Sequence, residues 1–201
     1  MKGYYFITDS ALSKTGTLSD VQNAITARVS FIQYRNKNAS IKQMCFEASQ
    51  IKDLCSEKTK LIINDRADVA LAVDADGVHL GQDDVTYEIA RSLLGNEKII
   101  GVTVHTLEEA ISAEKKGADY LGISPIFGTT TKKDAGNATG VELIKEIKNE
   151  CSLPLIAIGG ITLENAKSVV DAGADGLCAI SAVVAKENVK KEILKFQELF
   201  K

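Results

Sequence analysis

Asp74-Ala75-Asp76-Gly77, Gly117-Ala118-Asp119-Tyr120 and Gly173-Ala174-Asp175-Gly176 are three near-copies of one joint. Each closes a segment of helical character and opens a short apolar run. Gly117 and Gly173 fit the left-handed residue that ends a helix, followed by a tight turn into a strand. Working outward from these joints, eight runs read as strands: Tyr4 to Thr8, Val29 to Tyr34, Lys60 to Asn64, Gly77 to Leu80, Lys98 to Val104, Asp119 to Ser124, Leu155 to Ile158 and Gly176 to Ile180. Segments between them repeat apolar residues at helical spacing, as Ile41, Cys45, Ala48, Ile51, Leu54 and Cys55 do. Strict strand-helix alternation means a parallel sheet. Eight such units in 201 residues predict an α/β fold, a (β/α)8 TIM barrel forming a single domain over 1–201. An open doubly wound sheet would carry Gly-x-Gly-x-x-Gly after its first strand, and none follows Thr8.

Composition narrows the function classes. With 45% hydrophobic and 25% charged residues the chain is ordinarily globular, and it has no apolar stretch of membrane-spanning length. Met1-Lys2-Gly3 runs straight into strand-like sequence, so a cytoplasmic location is the expectation. A net charge of -3 gives no global field for nucleic acid, and an anionic ligand must then be held by local cations. Cys45, Cys55, Cys151 and Cys178 lack the spacing of a zinc site or redox pair and read as free thiols.

In a parallel barrel the strand C-termini share one rim, so residues far apart in sequence converge there. Gln33, Arg35 and Lys37 are spaced by two and share a face with Val29 and Phe31; if the apolar pair fills the interior, the polar trio lines the mouth. Asp65 and Asp84 follow neighbouring strands. Each alone reads as a helix N-cap, but beside Arg35 and Lys37 they suggest a polyphosphate site bridged by Mg2+, whose hard oxygen ligands are carboxylates and phosphate. Gly159-Gly160 and Ile180-Ser181 end the last two strands, where barrels bind phosphate through backbone N–H groups. Thr129 to Lys133 offers hydroxyls and ammonium donors on a loop suited to closing over anions, and Asp9 to Thr17 reads as a second mobile loop. His79 sits inside a strand and reads as a hydrogen-bonded structural residue, and no Ser or Cys partner suggests covalent catalysis. A polyphosphate site and a monophosphate site at one rim suit the joining of two phosphorylated substrates with loss of pyrophosphate.

Taken together, Tyr5-Phe6-Ile7-Thr8-Asp9, Gln33-Tyr34-Arg35-x-Lys37, Ile63-Asn64-Asp65, Ala75 to Asp84, Gly101-Val102-Thr103-Val104-His105, Pro125-Ile126-Phe127 with Thr129-x-Thr131-Lys132, and Ile158-Gly159-Gly160-Ile161 resemble the thiamine phosphate synthase family over nearly the whole chain. The resemblance implies a transferase that condenses 4-amino-5-hydroxymethyl-2-methylpyrimidine diphosphate with a thiazole phosphate, the carboxylated form included. It implies pyrimidine diphosphate binding by Gln33, Tyr34, Arg35, Asn36, Lys37, Asn64, Thr103 and Lys132, with Arg35, Lys37 and Lys132 acting in catalysis. It also implies Mg2+ at Asp65 and Asp84, and thiazole phosphate at Thr129, Thr130, Thr131, Gly160, Ile180 and Ser181. The implied mechanism is dissociative, and a homodimer is a further expectation. The family commonly has Gly at 28, Glu at 36, Ser at 103, Gly at 124 and Pro at 128, where this chain has Arg28, Asn36, Thr103, Ser124 and Gly128. The competing branch of the same fold, thiazole tautomerases, carries a catalytic His where Pro125 stands and needs no diphosphate site. A non-enzymatic phosphometabolite-binding regulator would keep the pockets without turnover.

Overall fold

The N-terminal strand is laid down in two pieces, β1 (Gly3–Tyr4) and β2 (Phe6–Ile7), and this split closes the barrel. The computed structural model describes residues 1–129 and 137–201. Among these, the remaining strands are β3 (Phe31–Tyr34), β4 (Lys60–Asn64), β5 (Gly77–Leu80), β6 (Ile99–Val104), β7 (Tyr120–Ile123), β8 (Leu155–Ile158) and β9 (Gly176–Cys178). Each pairs in parallel with the next in sequence from β2 to β9, and β9 then pairs with β1. Tyr5 N–H bridges the split by donating to the Leu177 carbonyl at 2.9 Å. Eight strand positions therefore close on themselves, as the alternation predicts.

Outside lie helices α1 (Thr17–Thr26), α2 (Ile41–Leu54), α3 (Ala67–Ala72), α4 (Tyr87–Leu94), α5 (Leu107–Lys116), α6 (Glu142–Glu150), α7 (Ala166–Asp171), α8 (Ile180–Val184) and α9 (Val189–Gln197). Ser40, Thr86, Thr106 and Asn188 cap α2, α4, α5 and α9 through side-chain oxygens that accept an N–H three residues on. The apolar faces of the helices pack on one side of the strands, while Tyr5, Ile7, Tyr120, Ile156 and Cys178 fill the other. Alternation decides the assignment: Tyr4 and Phe6 belong to the outer layer, Tyr5 and Ile7 to the interior.

The repeated joints turn out to be clamps at the rim opposite the strand C-termini. Asp76, Asp119 and Asp175 each donate a backbone N–H to the carbonyl of one residue in the preceding strand, Leu61, Ile100 and Leu155 respectively. Each carboxylate then accepts that same residue's N–H, at 2.9, 2.7 and 2.9 Å. Helix cations complete them: Lys52 on Asp76, Arg91 on Asp119, Lys148 on Asp175. Gly117 and Gly173 have positive φ, 96° and 104°, as expected of these helix ends.

Three expectations change. Val29 packs in the outer layer and not inside with Phe31, because β3 begins only at Phe31 and the alternation does not reach back to it. The last strand stops at Cys178, so Ile180 and Ser181 open α8. The stretch after Asp9 is a hydrogen-bonded turn, its carboxylate accepting from the N–H groups of Ala11 and Leu12, and Thr17 already begins α1. The four cysteines are free, Cys151 and Cys178 buried and Cys45 and Cys55 half-buried. Among the described residues no helix is long and apolar enough to cross a membrane.

Candidate functional site

The strand C-termini surround a cavity of about 280 Å³. Gln33, Arg35 and Lys37 line it from β3 and the loop after it; Asn64 and Asp65 do so from the end of β4, Asp84 from beyond β5, and Thr103 from β6. Thr129, Gly160, Ile180 and Ser181 form the opposing wall. Thr130, Thr131 and Lys132 lie outside the described residues.

Arg35 Nη1 donates to Asp9 Oδ2 at 3.1 Å, and both side chains are largely buried. The Arg35 N–H donates to Thr8 Oγ1 at 2.9 Å, so the end of β2 sets where this guanidinium starts. Lys37 pairs with Asp65, whose other oxygen accepts from Asn64 Nδ2 at 2.7 Å. Asp65 is held with φ 63°, a left-handed backbone that aspartate tolerates better than most residues. Its N–H donates to the His79 carbonyl at 2.8 Å, which fixes the turn. Neither acid caps a helix: α3 has no side-chain cap bond, and α4 is capped by Thr86. Asp84 Oδ2 accepts the Gly81 N–H at 2.7 Å within its own loop. Burial and the facing Asp65 carboxylate hold the Asp84 pKa above the usual carboxylate value.

That pair of like charges is an arrangement a divalent cation would relieve. Two carboxylates supply hard oxygen donors of the kind Mg2+ takes, with its other positions open to water and phosphate oxygens. Among the described residues no third His, Cys, Asp or Glu completes an all-protein cage. The donor set fits a cation shared with a ligand.

Two expected ligand residues point elsewhere. The Tyr34 side chain is fully buried in the outer layer, where its hydroxyl donates to Glu47 Oε2 at 2.6 Å. Asn36 Nδ2 donates to the same oxygen at 3.1 Å, and neither residue lines the cavity. The physical reason is parity: between Gln33 and Arg35, Tyr34 must face the helices. Glu47 thus fastens the Arg35–Lys37 loop to α2.

On the opposite wall Gly159 and Gly160 have φ 100° and 64°, and a Cβ on Gly160 would sit 2.5 Å from the Gly128 carbonyl oxygen. Only glycine suits such a turn. Ile180 and Ser181 stand in the first turn of α8, beside it.

Sequence reasoning left His79, Gln82, His105 and Ser124 out of the site, yet all four line the cavity. Gln82 Nε2 donates to the Thr103 carbonyl at 2.6 Å, and His105 Nδ1 is hydrogen-bonded to the Ser124 carbonyl. Strand-end position was the available signal for Gln82 and His105. His79 is hydrogen-bonded through both ring nitrogens, to Tyr120 Oη and Thr103 Oγ1, each at 2.8 Å. Burial pushes the pKa of the interior phenols Tyr5 and Tyr120 well above the ordinary value.

Closed parallel strands, a packed interior and a polar cavity at their C-terminal rim define a TIM barrel, with the cavity where that fold usually carries its functional site. The family model described as thiamine monophosphate synthase matches residues 4–183. A thiamine-phosphate synthase of Methanosarcina barkeri is 54% identical over 198 residues, covering 98% of this chain and 90% of that protein. One from Chloroflexus aurantiacus is 49% identical over 187 residues, covering 92% and 86%. The solved thiamine phosphate pyrophosphorylase from Pyrococcus furiosus superposes with a TM-score of 0.90 at 39% identity, covering 98% of this chain and 95% of that one. The chain belongs to the thiamine monophosphate synthase family.

Proposed function

We propose that this chain is a transferase that joins 4-amino-5-hydroxymethyl-2-methylpyrimidine diphosphate to 4-methyl-5-(2-hydroxyethyl)thiazole phosphate, or its carboxylated form, releasing thiamine phosphate and pyrophosphate. Alongside family membership, one observation carries the reading. Arg35, Lys37, Asp65 and Asp84 line one side of the same cavity whose other side is Thr129, Gly160, Ile180 and Ser181. A diphosphate with a shared cation suits the first group, and a monophosphate suits the backbone-rich second.

Asp65 and Asp84 would hold Mg2+, which offsets negative charge on a diphosphate. Gln33, Asn64 and Thr103 would orient the pyrimidine, and Arg35 and Lys37 would hold the diphosphate. The bond from the pyrimidine methylene carbon to the diphosphate oxygen breaks with its electron pair leaving on oxygen. The thiazole nitrogen then supplies the pair that forms the new carbon-nitrogen bond. Cations fixed around the departing oxygens and close alignment of the two rings supply the rate, so no enzyme nucleophile is called for. Lys132 is proposed to act on the departing pyrophosphate. Pro125 stands where the tautomerase branch carries its histidine, and proline cannot shuttle a proton.

Pyrophosphate release from the pyrimidine diphosphate tests this reading. It is expected to depend on added thiazole phosphate and to match product one to one. Release that ignores the thiazole would mark a hydrolase and overturn the proposal.

A further inference from the structure

Across the cavity floor runs a chain of five side chains from five parts of the sequence. Gln33 Nε2 donates to Tyr5 Oη at 3.2 Å; Tyr5 Oη lies 2.8 Å from Tyr120 Oη; Tyr120 Oη lies 2.8 Å from His79 Nδ1; His79 Nε2 lies 2.8 Å from Thr103 Oγ1. All five residues are buried, and only the two ends and His79 reach the cavity. The sequence gives up side chains to make room for the middle links. A Cβ on Gly101 would lie 2.1 Å from Tyr120 Cζ, and one on Gly122 would lie 2.9 Å from His79 Cε1. The His79 and Tyr120 rings stack with centroids 5.4 Å apart.

The donor at one end orders the rest. A Tyr5 hydroxyl that accepts from Gln33 turns its own proton to Tyr120, and Tyr120 then gives its proton to His79 Nδ1. A neutral imidazole that accepts at Nδ1 carries its proton on Nε2, and so donates to Thr103. Thr103 is left with its own hydroxyl proton to give to something else, and Gln33 keeps its amide carbonyl. Facing the cavity, the floor therefore offers an acceptor at Gln33 and a donor at Thr103. An aromatic ring with an exocyclic amine and ring nitrogens has the complementary pair.

We propose that Tyr5, Tyr120 and His79 are positioning residues, a one-way hydrogen-bond relay that holds Gln33 as acceptor and Thr103 as donor toward the aminopyrimidine ring. The proposal rests on the functional reading above for the identity of that ring. It reaches beyond it in giving a part in orienting the substrate to three residues that the functional reading leaves without a role.

Two measurements test it. Nitrogen-15 NMR of the free protein distinguishes protonated from bare ring nitrogens; with only two histidines in the chain, a His105→Gln variant assigns the signals. His79 is expected to be protonated on Nε2 alone, with Tyr120→Phe disturbing that preference. A proton on Nδ1 would mean the relay runs the other way and overturns the proposal. In kinetics, Tyr120→Phe and Tyr5→Phe are each expected to lower kcat/KM for the pyrimidine diphosphate about tenfold or more while leaving KM for the thiazole phosphate unchanged. The Tyr120→Phe effect should nearly vanish in a Thr103→Val background, because the relay acts through that hydroxyl. Equal losses in both backgrounds, or folded variants with wild-type kinetics, would overturn it. If the wild-type protein formed no thiamine phosphate, the functional reading would fall, and the NMR result would still judge the relay.

Discussion

Replacing Asp84 with Asn should make the protein more stable and less active at once. Asp84 sits where a charge is disfavoured, for burial and the facing Asp65 both raise its pKa. Asn keeps an oxygen for the Gly81 N–H, which Asp84 now accepts at 2.7 Å, and drops the charge. Relieving one member of such a pair at a solvent-lined mouth is worth roughly 0.5–1 kcal/mol, or about 1–4 °C in Tm for a domain of this size. Losing one of two carboxylates proposed to hold a divalent cation should lower turnover about tenfold or more. Thermal unfolding in EDTA and in saturating Mg2+, paired with steady-state rates, reads both effects. Mg2+ should raise the wild-type Tm, since a ligand that binds only the folded state stabilises it, and should barely move the variant. A variant less stable than wild type in EDTA would mean that Asp84 is a structural hydrogen-bonding residue. Wild-type turnover in the variant, or full wild-type activity in excess chelator, would refute the cation reading.

The remaining expectations are simpler. Replacing both Arg35 and Lys37 with Met removes two charge-assisted contacts of roughly 1.5–3 kcal/mol each and should slow coupling on the order of a hundredfold or more; undiminished coupling would reassign the rim. Lys132→Ala should lower kcat more than thiazole phosphate affinity, and the opposite pattern would give Lys132 to the other substrate. Asp76→Ala should cost about 2 kcal/mol near neutral pH, because Asp76 holds the Leu61 N–H, Lys52 and Lys60. Backbone and lysine contacts outweigh burial and hold the Asp76 pKa below its ordinary value. Its stabilisation is thus present above the unfolded value of about 3.9 and is lost as pH falls toward the lower folded one. A destabilisation by Asp76→Ala that stayed constant in acid would show that charge plays no part.

Much of the fold was legible because the joints repeat. Three Ala-Asp pairs mark three strand starts, and the structure adds what no spacing could disclose, that each aspartate clamps both backbone groups of one residue in the strand before it. Gathering at the rim was legible for Gln33, Arg35, Lys37, Asp65 and Asp84, since residues at parallel strand ends share it. Tyr34 and Asn36, which the resemblance places at the pyrimidine diphosphate, do not line the cavity, because a motif lists neighbours without regard to the side they face, and alternation turns Tyr34 outward to Glu47. The conformation of Asp65 was hidden as well: a left-handed aspartate at φ 63° looks in sequence like any residue before a helix. Arg28, where the family commonly has Gly, likewise has φ 62°, a backbone that explains the preference. The relay was out of reach because Tyr5, Gln33, His79, Thr103 and Tyr120 come together only once the barrel closes.

The most direct test is mass spectrometry of the purified protein incubated with 4-amino-5-hydroxymethyl-2-methylpyrimidine diphosphate, the thiazole phosphate and Mg2+. Thiamine phosphate should appear with one equivalent of pyrophosphate, and only when all components are present. Thiazole isomerisation without thiamine phosphate, or tight binding of both substrates without product, would contradict the account.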